Sequence, residues 1–258
     1  MPQLEFNFEE VLREIMAIKE VANNFLDRTA SGVLSMLTRN LEAIRASPRG
    51  TDSLWEIPSY NPLKTKISQG QYENSSPLER RRGQHKVFGE ITSTWTITPS
   101  DPKATSRTLA KTFTVTGNAS VRIRLIEPNS DSGGRELAMW RVELGDEDAP
   151  GCYFHIQVLG EDGRIEPPFP HSLSVPRLPA LVFTPMAALE FVVAELFQYE
   201  WKQHAAQETP AMQMWKSIQQ KRLERLFAWK QKLVSGCSGS PWTAIKLAKP
   251  QANLFLDR

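Results

Sequence analysis

"ITSTWTI", running from Ile91 to Ile97, decides the fold class. Ile91, Ser93, Trp95 and Ile97 alternate with Thr92, Thr94, Thr96 and Thr98. A period of two sends the two sets to opposite faces of a strand, and Thr, Ile and Trp all suit a pleated, half-buried surface. The pattern recurs downstream. Phe113 and Val115 alternate, Val121, Ile123 and Leu125 interleave with Arg122 and Arg124, and Ala138, Trp140, Val142 and Leu144 interleave with Arg141 and Glu143. A last apolar row, Cys152, Phe154, Ile156 and Val158, leaves Tyr153, His155 and Gln157 on the other face. Gly117-Asn118, PNSDSGG and GDEDAPG separate these rows. Gly117-Asn118 is expected to close a two-residue hairpin, because glycine takes a positive φ at little cost. Strands separated only by turns give an antiparallel meander of four to five strands within residues 87–160.

Outward from the meander, helices are expected on both sides. Upstream, Asn7 and Glu10 have the polarity of a capping box. Val11, Ile15, Ile18, Ala22 and Phe25 then recur at helical spacing, and the stripe continues through Val33, Met36 and Leu41. An unbroken helix over this stretch would be roughly 60 Å long at about 1.5 Å per residue. Either Gly32 divides it or it protrudes and forms a dimer. Residues 47–86 are polar and turn-rich and read as a loop or linker, ending in the Arg80-Arg81-Arg82 cluster with His85. Downstream, 161–183 is a proline-rich crossover. Thr184 caps the next helix with Pro185 in its first turn. Its stripe is Met186, Leu189, Val192, Val193, Leu196 and Phe197. A further helix after Pro210 carries Trp215, Ile218, Leu226, Trp229 and Leu233 and stops near Ser235-Gly236. The class is therefore α+β: a four- to five-stranded antiparallel meander packed against C-terminal helices, with an N-terminal helical segment. The corresponding divisions are 1–46, 47–86, 87–235 and a tail, 236–258.

Composition narrows the function classes. The 258 residues carry a net charge of +2, too little to require a polyanionic partner. Cys152 and Cys237 lie far apart, and no Cys/His set has metal-ligand spacing, so neither a metal site nor a cofactor is expected. There is no phosphate-cradling glycine loop. Glu190 and Glu195, five residues apart, do not share a helix face, and the acidic turn Asp146-Glu147-Asp148 lacks the glycine and distal glutamate of a calcium loop. The opening MPQLEFNFEE lacks the basic-then-apolar order of a signal peptide, and no apolar run is long enough to cross a bilayer. A soluble, cytoplasmic protein without membrane contact is expected.

Two constellations remain. His155 and Gln157, on one strand face, are candidates to meet His171 and Arg177 of the crossover across a ligand cleft, where histidine offers a base and arginine an anion clamp. Strands often keep one face merely solvated, and no nucleophile, base and orienter come together, so no residue is assigned as catalytic. Between Lys202 and Lys249 nine Lys or Arg face two acids, Glu208 and Glu224. Lys221, Arg225 and Lys232 fall on one helical flank beside Trp215 and Trp229, a candidate nucleic-acid contact, although a tryptophan stripe at helical spacing more often packs inward. The expected function is a non-catalytic interaction protein, contacting another macromolecule through the sheet face and crossover loop or the N-terminal helix, or contacting itself through that helix. Nucleic-acid binding is the first alternative, and an enzyme with a histidine-containing cleft the second.

Overall fold

A computed structural model describes residues 4–68, 86–100, 109–128, 134–145, 152–159, 178–181 and 184–256. It is an α+β protein with an antiparallel sheet. The strands are β1 (Leu4–Asn7), β2 (Ser53–Ile57), β3 (Leu63–Lys64), β4 (Phe88–Pro99), β5 (Thr112–Glu127), β6 (Arg135–Leu144), β7 (Phe154–Leu159) and β8 (Leu178–Pro179). Their order is β2-β4-β5-β6-β7-β8, with β3 beside β4 and β1 beside β5. The two long strands each serve two partners along one edge. On β4, Ser93 to Ile97 pair with β2, while Glu90 and Ile91 pair with β3. On β5, Thr112 to Val115 pair with β1, while Ser120 to Glu127 pair with β6.

Gly117-Asn118 does not close a hairpin. β5 runs through it, and the register against β4 shifts from Trp95↔Ala119 to Ile97↔Val115. Thr96 thus stands opposite the extra residues of a bulge, the irregularity that lets one strand bend away from its partner. A tight hairpin would need a positive φ, and among the described residues the glycines that have one are Gly50 and Gly134. A Cβ on Gly117 would come 3.0 Å from the Thr96 Cβ, so close approach across the ladder is what selects glycine there.

The helices are α1 (Phe8–Val21), α2 (Ala30–Arg45), α3 (Pro185–Leu196), α4 (Gln198–Ala205), α5 (Pro210–Ser235) and α6 (Pro241–Leu247). Two of the expected start residues act as caps, while the Glu10 carboxylate expected to close a capping box reaches Arg222 instead. Asn7 accepts from the backbone N–H groups of Glu9 and Glu10, and Thr184 from that of Ala187. The break in the N-terminal stripe falls earlier than Gly32, which lies inside α2. A short 3₁₀ turn, Asn23–Phe25, ends the first stripe, and the Asp27 carboxylate then accepts from the N–H groups of Thr29 and Ala30 to start α2. An aspartate oxygen meeting orphan N–H groups is a stronger start signal than glycine is a stop inside a helix.

One core unites these elements. α1 packs on α5, α2 and α3, and α3 lies over β4. Val11, Ile15, Ile18, Ala22 and Phe25 are buried in the same cluster as Trp55, Trp95, Val121 and Phe154. Val11, Ile15, Ile18, Ala22 and Phe25 of the N-terminal stripe are therefore packed within the chain. The span 47–86, read as a loop or linker, contributes β2 and β3, and the Trp55 indole donates to the Leu37 carbonyl at 3.1 Å. The C-terminal tail also enters the core. Phe255 stacks on Phe6 with ring centroids 5.5 Å apart, and the Glu5 N–H donates to the Ala252 carbonyl at 2.8 Å. Among the described residues, no helix is long and apolar enough to cross a membrane.

Candidate interaction surface

The sheet register explains what surrounds His155 and Gln157. Glu90 stands opposite Arg124, Arg141 opposite Gln157, and Glu143 opposite His155. Directly opposed side chains on one face meet, so opposite charges pair. Arg124 bridges Glu90 at 3.0 Å and Glu136 at 2.5 Å, while Lys64 reaches Glu90 at 2.8 Å. Arg141 donates to the Gln157 side-chain oxygen at 2.7 Å and lies 2.9 Å from Glu143. His155 is buried, its Nδ1 2.9 Å from the Cys152 carbonyl and its Nε2 3.3 Å from the Glu143 carboxylate. His155 Nδ1 and the Gln157 side-chain oxygen are thus engaged by the Cys152 carbonyl and by Arg141, while the buried His155 Nε2 faces the Glu143 carboxylate without a hydrogen bond. His171 and Arg177 lie outside the described residues, as do Arg80, Arg81, Arg82 and His85.

α5 behaves differently along its length. Thr209 caps it, and Ala211, Met212, Trp215, Ile218, Arg222 and Leu226 are buried. Leu226 is the last buried position, and α6 has none. Both tryptophans pack inward: Trp215 is in the core, and Trp229 meets Phe154 edge-on with centroids 5.9 Å apart. They do not form a stacking platform beside the lysines. Of the three candidate nucleic-acid contacts, Lys221 and Lys232 are exposed, while Arg225 donates to the Phe255 carbonyl at 2.6 Å.

The outer end of α5 and α6 instead exposes apolar carbon. Phe227 is 50% exposed, Val234 39%, Trp242 54% and Leu247 70%. Phe227 and Val234, seven residues apart, share a flank with Lys230 between them. α6 packs against α5. Lys230 and Lys246 both act on the Cys152 thiol, which places the two cations near the start of β7. Burial pushes that thiol above its ordinary range, the two lysines drawing it partly back. Burial likewise lowers the Lys230 ammonium, against the pull of Cys152.

Sequence reasoning missed a buried ionic cluster. The Arg222 guanidinium donates to Glu10 at 2.9 Å through Nε and lies 2.7 Å from Glu14 through Nη1. Glu14 also accepts from Thr184 at 2.9 Å and from Gln219 at 2.8 Å. Burial raises the nearby Glu190 carboxyl above the usual range, and the Glu14 charge adds to this. The signal was present in the sequence. Arg222 occupies the gap in the apolar series Trp215, Ile218, Leu226, and Glu10 and Glu14 sit one turn apart along the edge of the α1 stripe. An arginine in a core stripe needs carboxylates, and two carboxylates one turn apart need a cation. This cluster clamps α1, α3 and α5 together and is enclosed by the core. Among the described residues, no group of three or more His, Cys, Asp or Glu is placed to hold a metal ion.

Comparison with protein families, with curated proteins and with solved structures finds no match.

Proposed function

We propose that this is a non-catalytic interaction protein that contacts another macromolecule through the outer end of α5 and α6. The observation that carries this reading is the exposure of Phe227, Val234, Trp242 and Leu247 on two packed helices. Single exposed apolar side chains are ordinary, so the weight lies on Phe227 and Val234, which share one flank of α5 with Lys230 between them, the pattern of a contact surface. In this reading the meander β4–β7, with helices across its apolar face, is the scaffold, and the cross-strand lattice around His155 and Gln157 is part of it. A photo-crosslinking residue at position 242, compared with one at the 87%-exposed Tyr60, tests the proposal in cells. Discrete adducts at position 242 and not at 60 are expected. Equal or absent adducts at both positions would overturn it.

A second reading, nucleic-acid binding by the same helices, is favoured by the exposed pair Lys221 and Lys232. It requires retention on DNA or RNA that weakens steeply with salt and is lost on Lys221→Glu with Lys232→Glu. No retention at low salt would eliminate it.

A further inference from the structure

We infer that the α5–α6 surface takes an acidic amphipathic segment of another protein, an inference that rests on the interaction reading above. Charge comes first. From Arg225 to Lys249 the chain has five cations, Arg225, Lys230, Lys232, Lys246 and Lys249, and no acid. The last acid before this run, Glu224, accepts from the Gln220 amide at 2.7 Å. Lys232 and Lys246, both exposed, have no acid within this stretch to offset them, so acidic side chains on a partner complement them.

The type of cation separates protein from nucleic acid. Arginine is the side chain suited to bidentate phosphate and base recognition. Both arginines of α5 point inward, Arg222 to Glu10 and Glu14 and Arg225 to the Phe255 carbonyl. The outward cations Lys221, Lys232 and Lys246 are point charges. They suit the carboxylate rim of a protein interface, where long side chains ring a dry centre.

The apolar component points the same way. Val234 and Leu247 are aliphatic and have nothing to offer a phosphate or a base edge, whereas an apolar stripe on a partner segment covers them. Phe227 and Val234 lie two turns apart, about 10 Å along the axis at the helical rise. That span matches the i, i+7 anchors of an amphipathic partner helix.

The test uses the full chain and a synthetic acidic amphipathic helix, with Leu and Phe along one face and Glu along the rest. Controls are the same peptide with Gln for Glu and a scrambled version. Titration calorimetry at two salt concentrations, with oligo(dT) and with phosphatidylserine vesicles in parallel, reads the binding. The acidic peptide is expected to bind and the controls to bind at least about tenfold more weakly, the scale of electrostatic contributions at an interface. Lys232→Glu with Lys246→Glu should weaken binding by a similar factor. Phe227→Ser with Trp242→Ser should weaken it by roughly thirtyfold, as for loss of aromatic anchors. Unchanged thermal midpoints in these surface variants show that the fold is intact. Tighter binding to oligo(dT) or to vesicles than to the peptide would overturn the inference in favour of that partner. Failure of the peptide while position 242 still yields protein adducts overturns the acidic partner alone. Failure of both overturns the interaction reading as well.

Discussion

Replacing Arg222 by Met is the sharpest test of how this fold is held. The arginine is 1% exposed, so its guanidinium is out of water and is held by Glu10 and Glu14 at 2.7 to 2.9 Å. Methionine preserves most of the apolar volume among Phe6, Trp215 and Leu226. What it removes is the only charge compensation that α5 gives the two α1 carboxylates. Breaking a buried pair from one side costs about 3 to 5 kcal/mol, because the remaining charges stay buried and uncompensated. Against a typical total stability of about 5 to 15 kcal/mol this is a large fraction. Urea unfolding followed by tryptophan fluorescence measures the loss. The triple variant Glu10→Gln, Glu14→Leu, Arg222→Met should recover most of the loss, since an apolar replacement of a whole buried ionic group is often close to neutral. A loss below about 1 kcal/mol would refute the reasoning, because it would place the cluster at the level of an exposed pair.

Three further outcomes follow from the same packing. Phe255→Ala should cost about 3 to 5 kcal/mol in urea unfolding, because it empties the site between Phe6 and Phe154; a loss under about 1 kcal/mol would mean that the tail is not part of the core. Gly89→Ala puts a Cβ 2.3 Å from Val192 Cγ1, so it should destabilise by about 1 to 3 kcal/mol, with Val192→Ala in the same chain restoring part of the loss; no rescue would place the strain elsewhere. Burial raises the Tyr153 hydroxyl from 10.0 to about 12, so its contribution is fully present below pH 10 and lost as pH rises through about 12. At about 1.4 kcal/mol per tenfold change, this makes a loss of about 3 kcal/mol that Tyr153→Phe should abolish in alkaline unfolding curves; an unchanged alkaline slope would refute it.

How much of this was legible follows from the range of each determinant. The threonine alternation around Trp95 and the Thr184-Pro185 start are local signals, and both appear where the sequence places them. The Gly117-Asn118 bulge was misread because the same dipeptide serves a turn or a bulge, and only the length of β4 beside it decides between them. β2 was hidden because its buried pair, Trp55 and Ile57, is too short a period-two run to stand out in a polar stretch, and the Leu37 carbonyl that receives the Trp55 indole lies on another element. His155 and Gln157 could be placed on one face, but that Arg141 and Glu143 would engage them depended on strand register, which alternation alone does not give.

The ionic cluster bears on why the contact surface sits where it does. Arg222 links α5 to α1 across 212 positions of sequence, and Thr184 ties the start of α3 to the same Glu14. A buried charge tolerates only the arrangement that meets its hydrogen bonds, so it fixes the register of α5 against α1 more narrowly than apolar packing does. Leu226, one turn further along, is the last buried residue of α5. The cluster therefore anchors the helix one turn before its last buried residue, and the exposed side chains from Phe227 onward sit on a helix that Trp229 also ties to Phe154. A contact surface carried by a rigid element loses less conformational freedom on binding than one carried by a loop. Loosening the anchor with Arg222→Met should then weaken binding of the acidic peptide even though Arg222 touches no partner, and the triple variant, if it restores the register, should restore the affinity with it.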